Sequence, residues 1–242
     1  MKRTKILATV GPASESEEVL EKMFKAGLDA VRCNFSHGTA DDHKMRVELI
    51  RKVAKKTGHK VGVLGDLQGP KIRIARFKDD KVMLEQGQEF ILDGDMDLES
   101  GDNTCVGIDY PTLPQEVSAG NILLLDDGKI VFKVKDVAGK KVICEVTVAG
   151  PLSNNKGINK QGGGLSAKAL TDKDKEDLIT ATKIGVNLLA LSFVRNAEDM
   201  HEARALLDAQ GAQHIGIIAK IERVEALDHI DEIIKAGDGV MV

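Results

Sequence analysis

Residues 28–66, LDAVRCNFSHGTADDHKMRVELIRKVAKKTGHKVGVLGD, set the fold. LDAVRCNF (28–35) reads as a strand, a polar-faced helix follows over about 40–57, and Thr57-Gly58 stops it. KVGVLGD (60–66) is the next strand. Strands joined by a helix of this length pair in parallel, with a right-handed crossover. Upstream, TKILATV (4–10) reads as a strand before Gly11-Pro12, with Ser14 and Ser16 as candidate N-caps for EEVLEKMFKAG. That helix sets Val19, Leu20, Met23 and Phe24 on one face and ends in Gly27.

Downstream the rhythm changes. Residues 70–165 hold short β-like runs such as KVMLEQGQEFILD, NILLLDDGKIVFKVKDV and KKVICEVTV, with no convincing amphipathic helix. DDGK (126–129) between apolar runs predicts a hairpin. Helix–strand alternation returns at Thr171, an N-cap with Asp172 and Asp174 behind it. NLLALSF (187–193) and HIGIIAKIE (214–222) read as strands, RVEALDHIDEIIKAG as one helix, and DGVMV as the start of a sixth, buried strand. The expected organisation is an α/β barrel domain over 1–69 and 168–242, interrupted by an all-β domain over 70–167.

Composition narrows the function classes. Hydrophobic residues make up 42% and charged residues 30%, the balance of a globular domain with a core. A formal charge of −4, no basic tract with interleaved aromatics and only 3% aromatics argue against nucleic-acid binding. No apolar run approaches the roughly 18 residues that span a bilayer. Met1 is followed at once by a strand-like run, leaving no room for a signal peptide. Cys33, Cys105 and Cys144 form no CxxC pair and read as reduced, buried thiols, which fits a cytoplasmic location.

Strand spacing then points to chemistry. Side chains two apart share a face, so Arg32 and Asn34 point together while Val31, Cys33 and Phe35 pack. Arg beside an amide at a strand end suits a phosphate or carboxylate, or else pairs with an acid on a neighbouring strand. Ser36-His37-Gly38 adds hydrogen-bonding groups beside that Arg. Lys220 and Glu222 repeat the relation, either as a simple ion pair or as a charge-stabilising Lys beside a carboxylate for a divalent metal. Asp66 is a further candidate acid, against a capping or turn role. Gly150–Gly157 with Lys156 could offer amides and an ammonium to phosphates, though a surface loop would look the same. The histidines show no metal spacing; apart from His37 they read as solvated or capping.

Taken in order, KILATVGPAS, RCNFSHG, GDLQGPKIR, LLLDDG, NNKGIN, LTDKDKEDL, LSFVR and AKIE resemble pyruvate kinase over essentially the whole chain. The resemblance implies an incomplete TIM-type (β/α)8 barrel of about six strands with a β-barrel lid inserted after the third. It implies phosphoryl transfer between phosphoenolpyruvate and ADP, giving pyruvate and ATP. Arg32 would bind the substrate phosphate and Lys220 would stabilise the enolate. Glu222 would ligate Mg²⁺ (or Mn²⁺). Asn34, Ser36 and Asp66 would form a monovalent-cation position, with Asn34, Phe35, Ser36 and His37 lining the nucleotide site. Arg73 and Lys156 would contact ATP phosphates.

Two departures matter. Many family members carry Glu where this chain has Lys71, and those tend to need K⁺; a fixed ammonium there implies that K⁺ is not required. Leu67 stands where several relatives carry Thr. The family's ARGDLG-like segment, with its second Mg²⁺ carboxylate, would follow the last strand and is missing here. Poor binding and little turnover by this chain alone are therefore expected, although full-length relatives are tetrameric enzymes. Two other readings stay open: a catalytically dead nucleotide-binding remnant, and a Mg²⁺-dependent phosphoenolpyruvate or pyruvate lyase barrel.

Overall fold

The computed structural model describes residues 3–242. Met1, on which the signal-peptide expectation rests, lies outside the described residues. In chain order the elements are β1 (Leu7–Thr9), α1 (Glu17–Lys25), β2 (Ala30–Asn34), α2 (Ala40–Thr57) and β3 (Gly62–Asp66). Then come β4 (Lys81–Leu84), β5 (Glu89–Asp93), β6 (Cys105–Gly107), α3 (Leu113–Glu116), β7 (Ile122–Leu125), β8 (Ile130–Ala138), β9 (Lys141–Val148), β10 (Gly150–Ser153) and β11 (Ile158–Lys160). The remainder is α4 (Asp172–Ile184), β12 (Leu188–Leu191), α5 (Ala197–Ala209), β13 (Gly216–Lys220), α6 (Glu225–Asp228), α7 (Ile230–Ala236) and β14 (Gly239–Met241). Two compact units result, one of Met1–Pro70 with Lys168–Val242 and the other of Lys71–Ala167.

In the first unit six strands form one parallel sheet in the order β1-β2-β3-β12-β13-β14, an incomplete TIM-type barrel. Parallel pairing follows from the helical crossovers. Alternate side chains divide its two faces. Val31, Cys33, Phe35, Val63, Leu189, Leu191, Ile217 and Ala219 join Leu20, Phe24, Val47, Ile50, Leu178, Met200 and Leu207 of the helices in one core. Arg32, Asn34, Asp66 and Lys220 occupy the alternate positions. Ser16 caps α1, and capping boxes start α2 (Thr39–Asp42) and α4 (Thr171–Asp174).

Three expectations for this unit are corrected. The run 223–237 is two short helices, because i→i+3 bonds such as Leu227 N–H to Val224 O tighten its first turn and His229 leaves helical geometry. The sixth strand is not buried: β14 pairs with β13 alone among the described strands, and Val240 is 47% exposed. His43 is not solvated but buried on α2.

The second unit has its own core, including Phe90, Leu92, Val106, Phe132, Val134, Cys144 and Val146. Its main sheet runs β11-β7-β8-β9-β5-β6, with β10 and β4 as a separate antiparallel pair. The predicted hairpin joins β7 to β8 through Asp127 (φ 57°) and Gly128 (φ 86°), the left-handed pair that a type I′ turn demands. The stretch Ile72–Ala75 ties the sheet's two end strands together: Ile158 N–H donates to Ile72 O, and Ala75 N–H donates to Gly107 O. One expectation fails in part. The unit does contain a helical turn, α3, started by Pro114. The thiols are free, with Cys33 and Cys144 buried, but Cys105 is only half-buried.

Candidate active site

The C-terminal ends of β1, β2, β3, β12 and β13 meet around one carboxylate. Asp66, the last residue of β3, is 1% exposed. Its Oδ2 accepts from Arg32 Nε at 2.6 Å and lies 2.5 Å from Nη2. Its Oδ1 lies 3.3 Å from Lys220 Nζ, yet no donor is aligned to hydrogen-bond with it. Arg32 Nη1 donates to Thr9 Oγ1 at 2.9 Å. Lys220 Nζ donates to Ser192 Oγ at 2.7 Å and lies 3.2 Å from Glu222 Oε1. Two cations and two anions balance within the cluster.

Backbone geometry fixes these positions. Ser192 Oγ, buried, donates to Leu67 O at 2.6 Å, tying the end of β12 to the segment after β3. Glu222 Oε2 accepts from the Phe193 N–H at 3.0 Å, and Phe193 holds a left-handed φ of 57°. Gly69 has no room for a side chain: at φ 68° a Cβ would sit 2.7 Å from that of Ser192. Its N–H donates to Asp174 Oδ1, so the cap of α4 also anchors this crossing. Asn34 turns back on its loop, its Oδ1 accepting from Ser36 N–H at 3.1 Å, and His37 is exposed.

Asp66 is thus neither a cap nor a turn residue. Both strand-end readings of Arg32 remain physically compatible, since the acid partner leaves the guanidinium at the strand ends. Thr9 and Ser192 received no role from the sequence. For Ser192 the signal was there: it falls two residues after Ala190, in the same alternation as the other strand-end groups.

In the second unit Arg73 Nη1 donates to Asn155 O at 2.9 Å, and Arg73 bridges to Gly157. Lys156 Nζ lies 2.9 Å from Asp126 Oδ1, and this ammonium is the first cause that holds the Asp126 carboxyl below its ordinary range. Asp126, at a left-handed φ of 48°, is a contributor that spacing alone did not reveal. The first half of the Gly150–Gly157 segment is not a loop but β10. Lys71 also belongs to this unit.

Among the described residues no cluster of three or more His, Cys, Asp and Glu could hold a metal. The first unit offers Glu222, with one oxygen beside Lys220, and the orphaned Oδ1 of Asp66. That donor set fits a protein share of one carboxylate for Mg²⁺, the rest coming from ligand and water.

The fold and this charge cluster define a parallel α/β barrel segment with paired cations and carboxylates at its strand ends. The chain matches, over residues 1–242, the family described as "Pyruvate kinase, barrel domain". It is 54% identical to pyruvate kinase of Haemophilus influenzae and 54% identical to pyruvate kinase II of Salmonella typhimurium, in each case over all of this chain and 51% of the relative. Pyruvate kinase of Buchnera aphidicola subsp. Baizongia pistaciae is 49% identical over the same shares. The chain belongs to the pyruvate kinase family, and it spans about half the length of the curated relatives it matches. No helix among the described residues is long and apolar enough to cross a membrane.

Proposed function

We propose that this chain carries the substrate-holding half of a pyruvate kinase, which moves the phosphoryl group of phosphoenolpyruvate to ADP, leaving pyruvate and ATP. The observation that carries the reading is the meeting of Arg32, Lys220 and Glu222 around buried Asp66. Phosphoryl transfer asks chiefly for positioning and charge neutralisation. Arg32, oriented by Asp66 and Thr9, holds the substrate phosphate. Lys220 places its ammonium against the oxygen that gains charge as the enol P–O bond breaks. Glu222 would hold Mg²⁺ or Mn²⁺ with substrate oxygens and water. The metal, when bound, would supply positive charge to offset the charge that develops on substrate oxygens.

Asn34, Ser36 and Asp66, the last through its unsatisfied Oδ1, form the monovalent-cation position on this reading. On the same reading K⁺ is dispensable, as the presence of Lys71 where many of the family carry Glu implies. Asn34, Phe35, Ser36 and His37 are the nucleotide-lining candidates of the first unit, and Arg73 and Lys156 the phosphate-binding candidates of the second. With one carboxylate as the metal share, turnover by the chain alone is expected to be small.

Calorimetric titration of the chain with phosphoenolpyruvate and Mg²⁺, in parallel with ADP, tests this reading. Saturable binding lost in Arg32→Ala and Lys220→Ala supports it; unaltered binding in both variants removes it. Phosphoenolpyruvate affinity should be equal in potassium and tetramethylammonium chloride, and a strict K⁺ dependence would remove the Lys71 assignment.

A further inference from the structure

His43 has no part in the site described above, yet it is 1% exposed and stacks on Phe35 with ring centroids 4.0 Å apart and planes 16° apart. Phe35 anchors the loop that follows β2. Its N–H donates to Asp66 O, and its carbonyl accepts from Lys173 Nζ, each at 2.9 Å. On the sheet side its ring lies against Gly65, where a Cβ would come within 3.2 Å of Phe35 Cε2. The loop bearing Asn34, Ser36 and His37 is therefore fastened by one aromatic ring, with α2 on one side and β3 on the other.

The neighbours of His43 decide its tautomer. Arg46 Nη1 lies 3.2 Å from Nδ1, and a guanidinium has only protons to offer, so Nδ1 accepts. Glu15 Oε2 fixes Arg46 in that pose, taking Nε at 3.1 Å and Nη2 at 2.9 Å. The ring proton then sits on Nε2. That atom is buried without a hydrogen-bond partner and faces the Gly38 turn, where a Cβ would stand 3.7 Å from it. A second proton on Nδ1 would be aimed at the Arg46 guanidinium, so this arrangement requires the neutral ring.

We propose that His43 is a positioning residue whose neutral, Nε2-protonated ring is the platform for Phe35 and so fixes the Asn34–Gly38 loop. The part of the proposal that ties this loop to a nucleotide rests on the function proposed above; the fastening of the loop does not.

Three measurements on the full chain test it. Long-range ¹H–¹⁵N spectra should show His43 protonated on Nε2 alone at pH 7; an Nδ1-protonated or imidazolium ring would overturn the proposal. In His43→Ala, amide exchange at Phe35–Gly38 should rise about tenfold while amides of β8 and β9 stay unchanged. His43→Phe, which keeps a flat ring and removes the proton, should return loop exchange to the wild-type rate. Unchanged exchange in the Ala variant, or no rescue by Phe, would overturn the platform role. ADP affinity, measured on the same proteins, should follow loop exchange. If the wild-type chain binds no ADP, the nucleotide reading fails, and the exchange rates still decide the role of His43.

Discussion

Asp66 faces two cations from a position with almost no solvent, and each of its oxygens serves a different strand. Removing one member of a buried charge set leaves the others uncompensated. Asp66→Asn keeps the shape and deletes the charge, so Arg32 and Lys220 repel across a neutral amide. A loss of about 3 kcal/mol in urea-induced unfolding is expected; a loss within the noise of the wild-type curve would show that solvent screens the pair. His43 gives a prediction in pH. Burial first, then Arg46 and Lys173, lower its pKa below the ordinary 6.5, against Asp177 and Asp42, which raise it. The unfolded chain takes up a proton near that ordinary value while the folded ring does so only at lower pH, so stability is full above it and declines as pH falls below it. His43→Phe should flatten that decline in thermal melts taken across the acid range. The burial of His43 was legible in principle, because it continues the stripe Val47, Ile50 and Ala54 along one face of α2. A polar residue on an apolar stripe carries no mark of which side it will take, and the histidine was read by its chemistry instead of its spacing.

At the scale of elements, the α2 capping box joins the strand-end loop to the helix that carries His43. Thr39 Oγ1 accepts from Asp42 N–H, and Asp42 Oδ2 accepts from Thr39 N–H at 2.7 Å. Thr39→Ala should cost about 1 kcal/mol of stability and Thr39→Ser almost nothing, measured by denaturant unfolding; equal costs would point to the lost methyl group. Elements bounded by such chemistry were the legible ones. α2 spans the residues that its pattern predicts, and Thr171 and the Asp-Gly turn fall where their side chains require. The break between α6 and α7 was not legible, since apolar spacing continues through His229 and only the tight hydrogen bonds of the first turn interrupt it. The gathering of Arg32, Asp66 and Lys220 lay between these cases. Alternation gave each side chain its face, but the register that brings Asn34 opposite Asp66 and Asp66 opposite Ala190 is a property of paired strands.

At the scale of the whole molecule, the unit Lys71–Ala167 contains what an independent domain needs. It buries Phe77, Phe90 and Phe132 with Leu84, Leu92, Leu123 and Leu125 in one core, and the stretch Ile72–Ala75 bridges its two end strands. That bridging stretch escaped the sequence reading because its pairing consists of single bridges at Arg73 and Ile74, too short to impose a strand pattern. A polypeptide of residues 71–167 should therefore fold alone and unfold in one cooperative step. Cys144 supplies the probe. It is fully buried, and burial pushes its thiol up to about 12, so at mildly alkaline pH the folded unit shields it both sterically and by keeping it protonated. In a Cys105→Ser background, which removes the half-buried thiol, labelling of Cys144 by a disulfide reagent should track the unfolding transition measured by circular dichroism. Labelling at the rate of a free peptide thiol before any denaturant is added would mean that this core does not hold by itself.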